Sequence, residues 1–188
     1  LWSEVSALLP ETKIEILGPP TGSGTRDSFR ELVMIPACED AGAEDCADLG
    51  TEIRTDGVFS DAAGEDYALI ASNLAANPNA IGIFGYSFLH QNSDTLKGLT
   101  VYGVPPTAEA IASGEYPLAR SLYFYIKGDH VGVIPGVAEY AAEFMSEAAS
   151  GPDGYLVSAG LVPLPAYLHA KSVERITSLT PLTLDDLK

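Results

Sequence analysis

EILGPPTGSGTRDSFRELVM, residues 15–34, joins an apolar run, a turn rich in glycine and hydroxyl residues, and an amphipathic run in one short segment. The residues that lead into it, 13–18, alternate in polarity and are partly β-branched, which predicts a strand. Small residues between such a strand and a following helix let another group approach the backbone closely. The segment therefore predicts a strand–turn–helix unit, with the turn at residues 22–25.

The amphipathic run predicts a helix that starts near Arg26. Its apolar side chains recur at helical spacing, at Phe29, Leu32 and Val33. Pro36 predicts the end of this helix, because proline has no N–H for the backbone ladder and its ring clashes with the preceding turn.

The turn itself has the composition of an anion site. The first amides of a helix lack partners within the helix, and the helix dipole adds a partial positive charge there. Gly22 and Gly24 remove side-chain bulk, while the hydroxyls of Ser23 and Thr25 are further donors. An equally simple interpretation makes Ser23 or Thr25 an N-cap and leaves the glycines to form the turn. The spacing alone leaves both interpretations open.

Strand and helix patterns alternate along the rest of the chain without an internal repeat. Helical patterns occupy residues 67–77, 107–114, 136–150 and 171–179. Strand patterns occupy residues 80–89, 96–104 and 116–128, and residues 37–66 indicate a long acidic loop. The alternation predicts an α/β class, with a central mixed sheet flanked by helices in a single domain over residues 1–188.

The charge balance excludes several classes of partner. The chain has 10 Lys and Arg against 26 Asp and Glu, a formal net charge of −16. Such a surface repels nucleic acid and anionic lipid, and no apolar run is long enough for membrane insertion. An anion site here must therefore rely on short-range hydrogen bonds. The chain begins LWSEV, without Met or a signal-like segment, and we expect it to be a processed or excised piece.

Cys38 and Cys46 are the chain's two cysteines, with an acidic stretch between them. Two lone cysteines that close a short loop suggest a disulfide in an oxidising compartment, although two free thiols remain an alternative. No further Cys or His lies nearby to complete a tetrahedral set, so no zinc or other metal is expected.

The chain does not match either of two catalytic motifs, because required residues are absent at the required spacing. A phosphate-binding Walker A loop needs Lys where this chain has Thr25. A nucleophile elbow needs glycines two residues to either side of its serine, and neither Ser23 nor Ser87 has both. We therefore expect no enzyme and no cofactor, and a hydrolase that uses Ser23 stays the weakest alternative.

Several phrases, in order and spread over nearly the whole chain, carry a resemblance to a known family. They are GPPTGSGTRDSFRELVM, NPNAIGIFGYSFL, GVPPTAEAIASGEYPLARSLYFYI and GYLVSAGLVPLP. Together they resemble the periplasmic phosphate-binding protein of the high-affinity phosphate ABC transporter. The resemblance implies a type II periplasmic binding-protein fold with two lobes. It further implies that residues 1–188 correspond to the C-terminal lobe, with residues 166–188 returning toward a missing N-terminal lobe.

The resemblance also implies a ligand site. The family's Ser-Gly-Thr turn, which donates hydrogen bonds to phosphate, matches Ser23, Gly24 and Thr25. Many members carry an Arg four residues before that serine, where this chain has Pro19. Arg26 or Arg54 would supply the missing cation.

Each of these arginines has a plainer interpretation. Arg26 could form an ion pair with Asp27 or Glu31, and Arg54 could lie in solvent. Asp56 is the nearby carboxylate that could accept a proton from the ligand.

The sequence thus predicts an extracytoplasmic, periplasmic protein that binds inorganic phosphate at a helix N-terminus and delivers it to an ABC transporter permease. A phosphate or oxyanion sensor, or a scaffold, on the same fold is the alternative.

Overall fold

A computed structural model describes residues 1–49, 53–54, 56–61, 63–64 and 66–184. The chain divides into two compact units, Leu1–Leu99 and Thr100–Lys188, and each is described by itself. The assignment of residues 1–188 to one lobe of a longer two-lobed protein stays a prediction.

A three-stranded parallel sheet organises the first unit. Its strands are β1 (Glu15–Leu17), β2 (Phe59–Ser60) and β3 (Ala80–Gly82), in the order β2-β1-β3. Ile16 stands opposite Phe59 on one side and Ile81 on the other. The predicted strand at 13–18 is thereby confirmed, although it is shorter. β2 lies within the stretch predicted as a loop.

The helices of the first unit are α1 (Trp2–Val5), α2 (Gly24–Phe29), α3 (Ile35–Asp40), α4 (Cys46–Leu49), α5 (Tyr67–Ala76) and α6 (Tyr86–Gln91). A π-helical turn, Arg30–Met34, joins α2 to α3, so residues 24–40 are helical without a break. The predicted end at Pro36 is therefore wrong. The N–H of Ile35 bonds the carbonyl of Arg30, five residues back. This wider turn precedes Pro36 and accommodates a residue that has no N–H.

The core of the first unit lies where α5 meets the sheet. Ile70 of α5 is fully buried, and Leu17 of β1 is buried nearly as well. A Cβ placed on Gly82 of β3 would lie 2.7 Å from Leu74 Cδ1 and 3.2 Å from Ile70 Cγ2. Glycine at this position therefore lets the helix approach β3 closely.

Helices dominate the second unit. They are α7 (Ala108–Ser113), α8 (Val137–Phe144), α9 (Glu147–Ser150) and α10 (Ala166–Ser178), with 3₁₀ turns at Gly128–His130 and Val157–Ala159. Thr107 caps α7 through a hydrogen bond from the N–H of Ala110, and Gly114 ends it in the left-handed region. The core includes Ala141, Met145 and Ala149, all buried.

Two predicted strands of the second unit are wrong. Residues 96–104 contain one isolated bridge, between Val101 and Val104. Residues 116–128, the most β-like run in the sequence, contain no strand. This run is rich in aromatic residues but has no neighbouring strand to pair with among the described residues, and a strand requires such a partner.

Candidate anion-binding site

The turn before α2 has a conformation that only glycine adopts readily. Gly22 has a φ of +90°. Ser23 follows in an extended conformation as the N-cap of α2, and its side chain makes no capping hydrogen bond. Ser23 is 6% exposed, so its hydroxyl lies beneath the surface rather than on it.

The backbone amides at the mouth of α2 are oriented by the turn. The N–H of Ser23 donates to the carbonyl of Pro20 at 3.2 Å, and the N–H of Asp27 donates to the carbonyl of Ser23 at 3.0 Å. Thr25 and Arg26 lie in the first turn, where no residue of the helix precedes them at the distance needed to accept from their amides. These amides are the donors that a tetrahedral anion would use.

The hydroxyl of Thr25 meets the hydroxyl of Tyr67, at the start of α5, at 3.1 Å. The Tyr67 ring is itself held against Phe88 in an edge-on contact, with ring centroids 5.6 Å apart. The Thr25 hydroxyl is therefore positioned by a side chain that aromatic packing fixes in place.

Arg26 lies among residues of the sheet edge. Its Nη1 lies 3.3 Å from the carbonyl oxygen of Pro19 and 3.3 Å from Oδ2 of Asp61. Its guanidinium carbon stands 5.2 Å from the centroid of the Phe59 ring. The side chain is 16% exposed. The ion pair is thus formed with Asp61 and not with Asp27 or Glu31, the partners in the plainer interpretation of the sequence.

Arg54 and Asp56 pair with each other on the exposed surface. The Nε of Arg54 donates to Oδ1 of Asp56 at 2.9 Å, and its Nη2 donates to Oδ2 of the same carboxylate. The Arg54 guanidinium lowers the pKa of Asp56 to about 2. A role for either residue in ligand binding stays a prediction.

A small pocket opens beside the turn, with a volume of about 100 Å³. Its lining residues are Thr21, Gly22, Arg26, Asp27, Arg30 and Ile53. The pocket therefore brings Gly22 and Arg26 together with residues that the sequence analysis did not single out. Arg30 is the most informative of these, because it repeats Arg26 one helical turn later, a spacing visible in the sequence.

The serine alternative finds no support at this site. Ser23 forms no hydrogen bond to a histidine within the described part of the chain. A serine does meet a histidine in the second unit, where Ser150 Oγ lies 3.3 Å from His169 Nε2. Both residues are buried there.

The disulfide expected from the two cysteines is present. Cys38 in α3 is bonded to Cys46 at the start of α4, across a sequence separation of 8. The bond ties the far end of the continuous helix to the segment that follows it. No cluster of three or more metal-ligating side chains occurs among the described residues.

Residues 1–148 match the family model described as the PBP superfamily domain. The match covers well over half of the chain. The chain belongs to the PBP superfamily. This membership confirms the family resemblance and the α/β class that the sequence motifs indicate.

Relatives of this PBP-superfamily chain include proteins named for phosphate. It is 32% identical over 131 residues to the phosphate-binding protein PstS of Staphylococcus epidermidis, across 67% of this chain and 34% of the relative. It is 27% identical over 190 residues to protein SphX of Synechococcus elongatus, across 94% of this chain and 48% of the relative. The chain thus spans a third to a half of the length of these relatives.

A solved structure shares the fold. The crystal structure of a possible phosphate binding protein from Planctomyces limnophilus matches with a TM-score of 0.60 at 24% identity, over 96% of this chain and 58% of that protein. At this identity the likeness shows the fold alone. No helix in the described ranges is long and apolar enough to cross a bilayer.

Proposed function

We propose that this chain is the phosphate-binding part of an extracytoplasmic, periplasmic solute-binding protein that serves an ABC transporter permease. The observation that carries the proposal is the strand–turn–helix unit. In this unit Gly22, at positive φ, forms the turn just before a continuous helix begins at Gly24. Membership of the PBP superfamily and the printed names of the PstS relatives support phosphate as the ligand.

Phosphate would rest on the first-turn amides, with Ser23, Gly24 and Thr25 around it. The Thr25 hydroxyl can donate a hydrogen bond to the anion while it remains in contact with the Tyr67 hydroxyl. When the Tyr67 hydroxyl donates its proton to Thr25 Oγ1, the Thr25 proton is left to donate to the anion. A threonine held in this way is already oriented before the ligand arrives, which lowers the entropic cost of binding.

Arg26 would neutralise part of the ligand charge in place of the arginine that Pro19 replaces. The chain's net charge of −16 works against an anion at long range, so a local cation matters more here. Arg26 is pre-positioned by Phe59 and by the Pro19 carbonyl. Its contact with Asp61 is the competing interaction that a ligand would have to weaken.

A further lobe would complete the site in this proposal. Leu122, Tyr123 and Tyr125 lie along a stretch of the second unit that has no assigned secondary structure, and they are largely exposed. Exposed apolar side chains on an unpaired backbone are suited to packing against another part of the same polypeptide. The missing N-terminal lobe would be that part, and the closed protein would dock on the permease.

Isothermal titration calorimetry tests the proposal on the natural full-length polypeptide, with phosphate, arsenate and sulfate as ligands. Thr25→Val removes a hydroxyl donor to a charged group, and we expect phosphate binding to weaken by about 1–3 kcal/mol. Thr177→Val, which removes a hydroxyl bonded to a carbonyl of its own helix, serves as the control and is expected to bind normally. No phosphate binding at millimolar concentration would remove the proposal.

One observation favours the sensor or oxyanion alternative on the same fold. Pro19, which is fully buried, supplies no charge at the position where many family members carry an arginine. Preference for another oxyanion over phosphate in the same titrations would select this alternative. A chromogenic ester assay of the wild type and Ser23→Ala addresses the hydrolase alternative, which predicts turnover that the substitution abolishes.

A further inference from the structure

Arg30 is a partly buried cation whose hydrogen bonds are incomplete. Its Nε atom is buried and has no hydrogen-bond partner within the described part of the chain. Its Nη2 lies 3.7 Å from Glu31 Oε1, a long contact for an ion pair. Buried donors in folded proteins nearly always have partners, so an unpartnered guanidinium N–H calls for an explanation.

The backbone places Arg30 one α-helical turn after Arg26. The N–H of Arg30 bonds the carbonyl of Arg26, so the two side chains emerge on the same face of the helix. Both line the pocket beside Gly22. Two like charges at this spacing repel each other and destabilise a helix unless an anion lies between them.

Asp27 is the counter-charge within the pocket lining, and Glu31 and Asp61 are the carboxylates in contact with the two arginines. The Asp61 side chain is 51% exposed and the Glu31 side chain 52% exposed. Contacts with such exposed carboxylates are weak in water. They are readily exchanged for a ligand that two planar guanidinium groups can bind at once.

We propose that Arg26 and Arg30 form a two-arginine clamp for a tetrahedral oxyanion in the pocket beside Gly22. The inference rests on the proposed function and deepens it, because it adds a second cation to the phosphate site. Arg30 then supplies, with Arg26, the charge that is lost at Pro19. The Arg30 side chain is 31% exposed although its Nε is buried, so its Nη groups are the donors that the ligand would reach.

Calorimetric titration with inorganic phosphate tests the clamp on the natural full-length polypeptide. Arg30→Gln is expected to raise the Kd by about 10- to 100-fold, as for the loss of a hydrogen bond to a charged group. Arg30→Met keeps the apolar stem and is expected to give the same loss, so it serves if the glutamine variant does not fold. Lys97→Gln is the matched control, because it removes one positive charge from an exposed residue outside the pocket lining.

Thermal unfolding separates ligand binding from a structural role. Without phosphate, the Arg30 variants are expected to melt at or above the wild-type temperature, because the repulsion from Arg26 is relieved. With phosphate, they are expected to lose most of the wild-type rise in melting temperature.

Three results would overturn the clamp. Both Arg30 variants could bind phosphate like the wild type, which would leave the proposed function standing and remove Arg30 from it. Lys97→Gln could weaken binding as much as Arg30→Gln, which would show a general charge effect. A wild type that binds none of phosphate, arsenate and sulfate would overturn both the clamp and the proposed function.

Discussion

In the pair formed by Arg54 and Asp56, one exposed arginine lowers the pKa of one exposed carboxylate. The hydrogen bonds from Arg54 are the largest cause of the lowered pKa of Asp56, which falls from 3.8 to about 2. A carboxylate with a lowered folded-state pKa stabilises the fold above its unfolded pKa. This contribution is lost as the pH falls from about 4 through about 2.

Arg54→Gln is expected to move the pKa of Asp56 back toward 3.8, because the charged hydrogen bonds are removed. Carboxyl-detected NMR titration of the wild type and the variant measures this change directly. An unchanged midpoint would mean that the pair does not form in solution.

Ser150 and His169 are a buried polar pair, and Glu147 completes it. His169 Nδ1 lies 3.4 Å from Glu147 Oε1, and the opposite ring nitrogen faces Ser150. The hydrogen bond of His169 to Ser150 and its contact with Glu147 join α9 to α10. Glu147 is 76% exposed, so the firmer of the two contacts is the buried one.

His169→Ala is expected to lower the free energy of unfolding by about 1–3 kcal/mol, because the buried hydrogen bond between His169 and the Ser150 hydroxyl is lost. Chemical denaturation measures the change, and His90→Ala, at an exposed position, is expected to have little effect. Equal losses from the two variants would contradict a specific role for the buried pair.

At the scale of the element, β3 and α5 depend on the absence of a side chain at residue 82. A Cβ there would lie 2.7 Å from Leu74 Cδ1 and 2.8 Å from Phe84 Cε1. These contacts involve a helix and a ring that are both packed into the core.

Gly82→Ala is accordingly expected to cost about 1–3 kcal/mol of stability through overpacking. Gly128→Ala is the matched control, because a Cβ there meets nothing within 4 Å. Denaturant unfolding of both variants measures the difference, and similar stabilities would argue against the close approach of α5 to β3.

The sequence predicted most helices of this chain correctly, and it predicted the strands less well. The patterns for α5, α7 and α10 predicted real helices, although α10 begins earlier than expected. The pattern over 136–150 missed a break, because Ser146 caps α9 by accepting from the N–H of Ala149. Residues 86–89, predicted as the end of a strand, lie in α6. Strands depend on partners that local patterns do not identify.

The candidate site was predicted in part for the same reason. The turn followed from local chemistry, and the structure adds that Gly22 adopts a positive φ within it. The contact of Arg26 with Asp61 spans 35 residues, and that of Thr25 with Tyr67 spans 42. Neither contact is visible in the spacing of nearby residues. Arg30 lies four residues after Arg26, a spacing that is visible in the sequence. That both arginines line one pocket is visible only in the structure.

For the whole molecule, the disulfide between Cys38 and Cys46 is the one covalent cross-link. The loop that it closes is short. A short loop loses less conformational entropy in the unfolded chain than a long one, so the stabilisation is moderate.

Reduction is expected to lower the free energy of unfolding by about 2–3 kcal/mol, as expected for a loop of this length. Denaturant melts with and without a reducing agent measure the loss. Mass spectrometry under non-reducing conditions should show the linked peptides, whereas two alkylatable thiols would contradict both the bond and the proposed oxidising compartment.

The π-helical turn at Arg30–Met34 has a consequence for how this chain can change over time. It holds one residue more than an ordinary turn, and each residue of an α-helix rotates the chain by about 100°. Loss of a single residue there would convert it to an ordinary α-helical turn and leave Cys38 facing nearly the same direction relative to Ser23. Loss of a residue from an α-helical part of the same helix would instead rotate Cys38 by about 100° about the helix axis. The π-helical turn is therefore the part of residues 24–40 where one residue can be lost while Cys38 still faces Cys46 and Arg26 still faces the pocket.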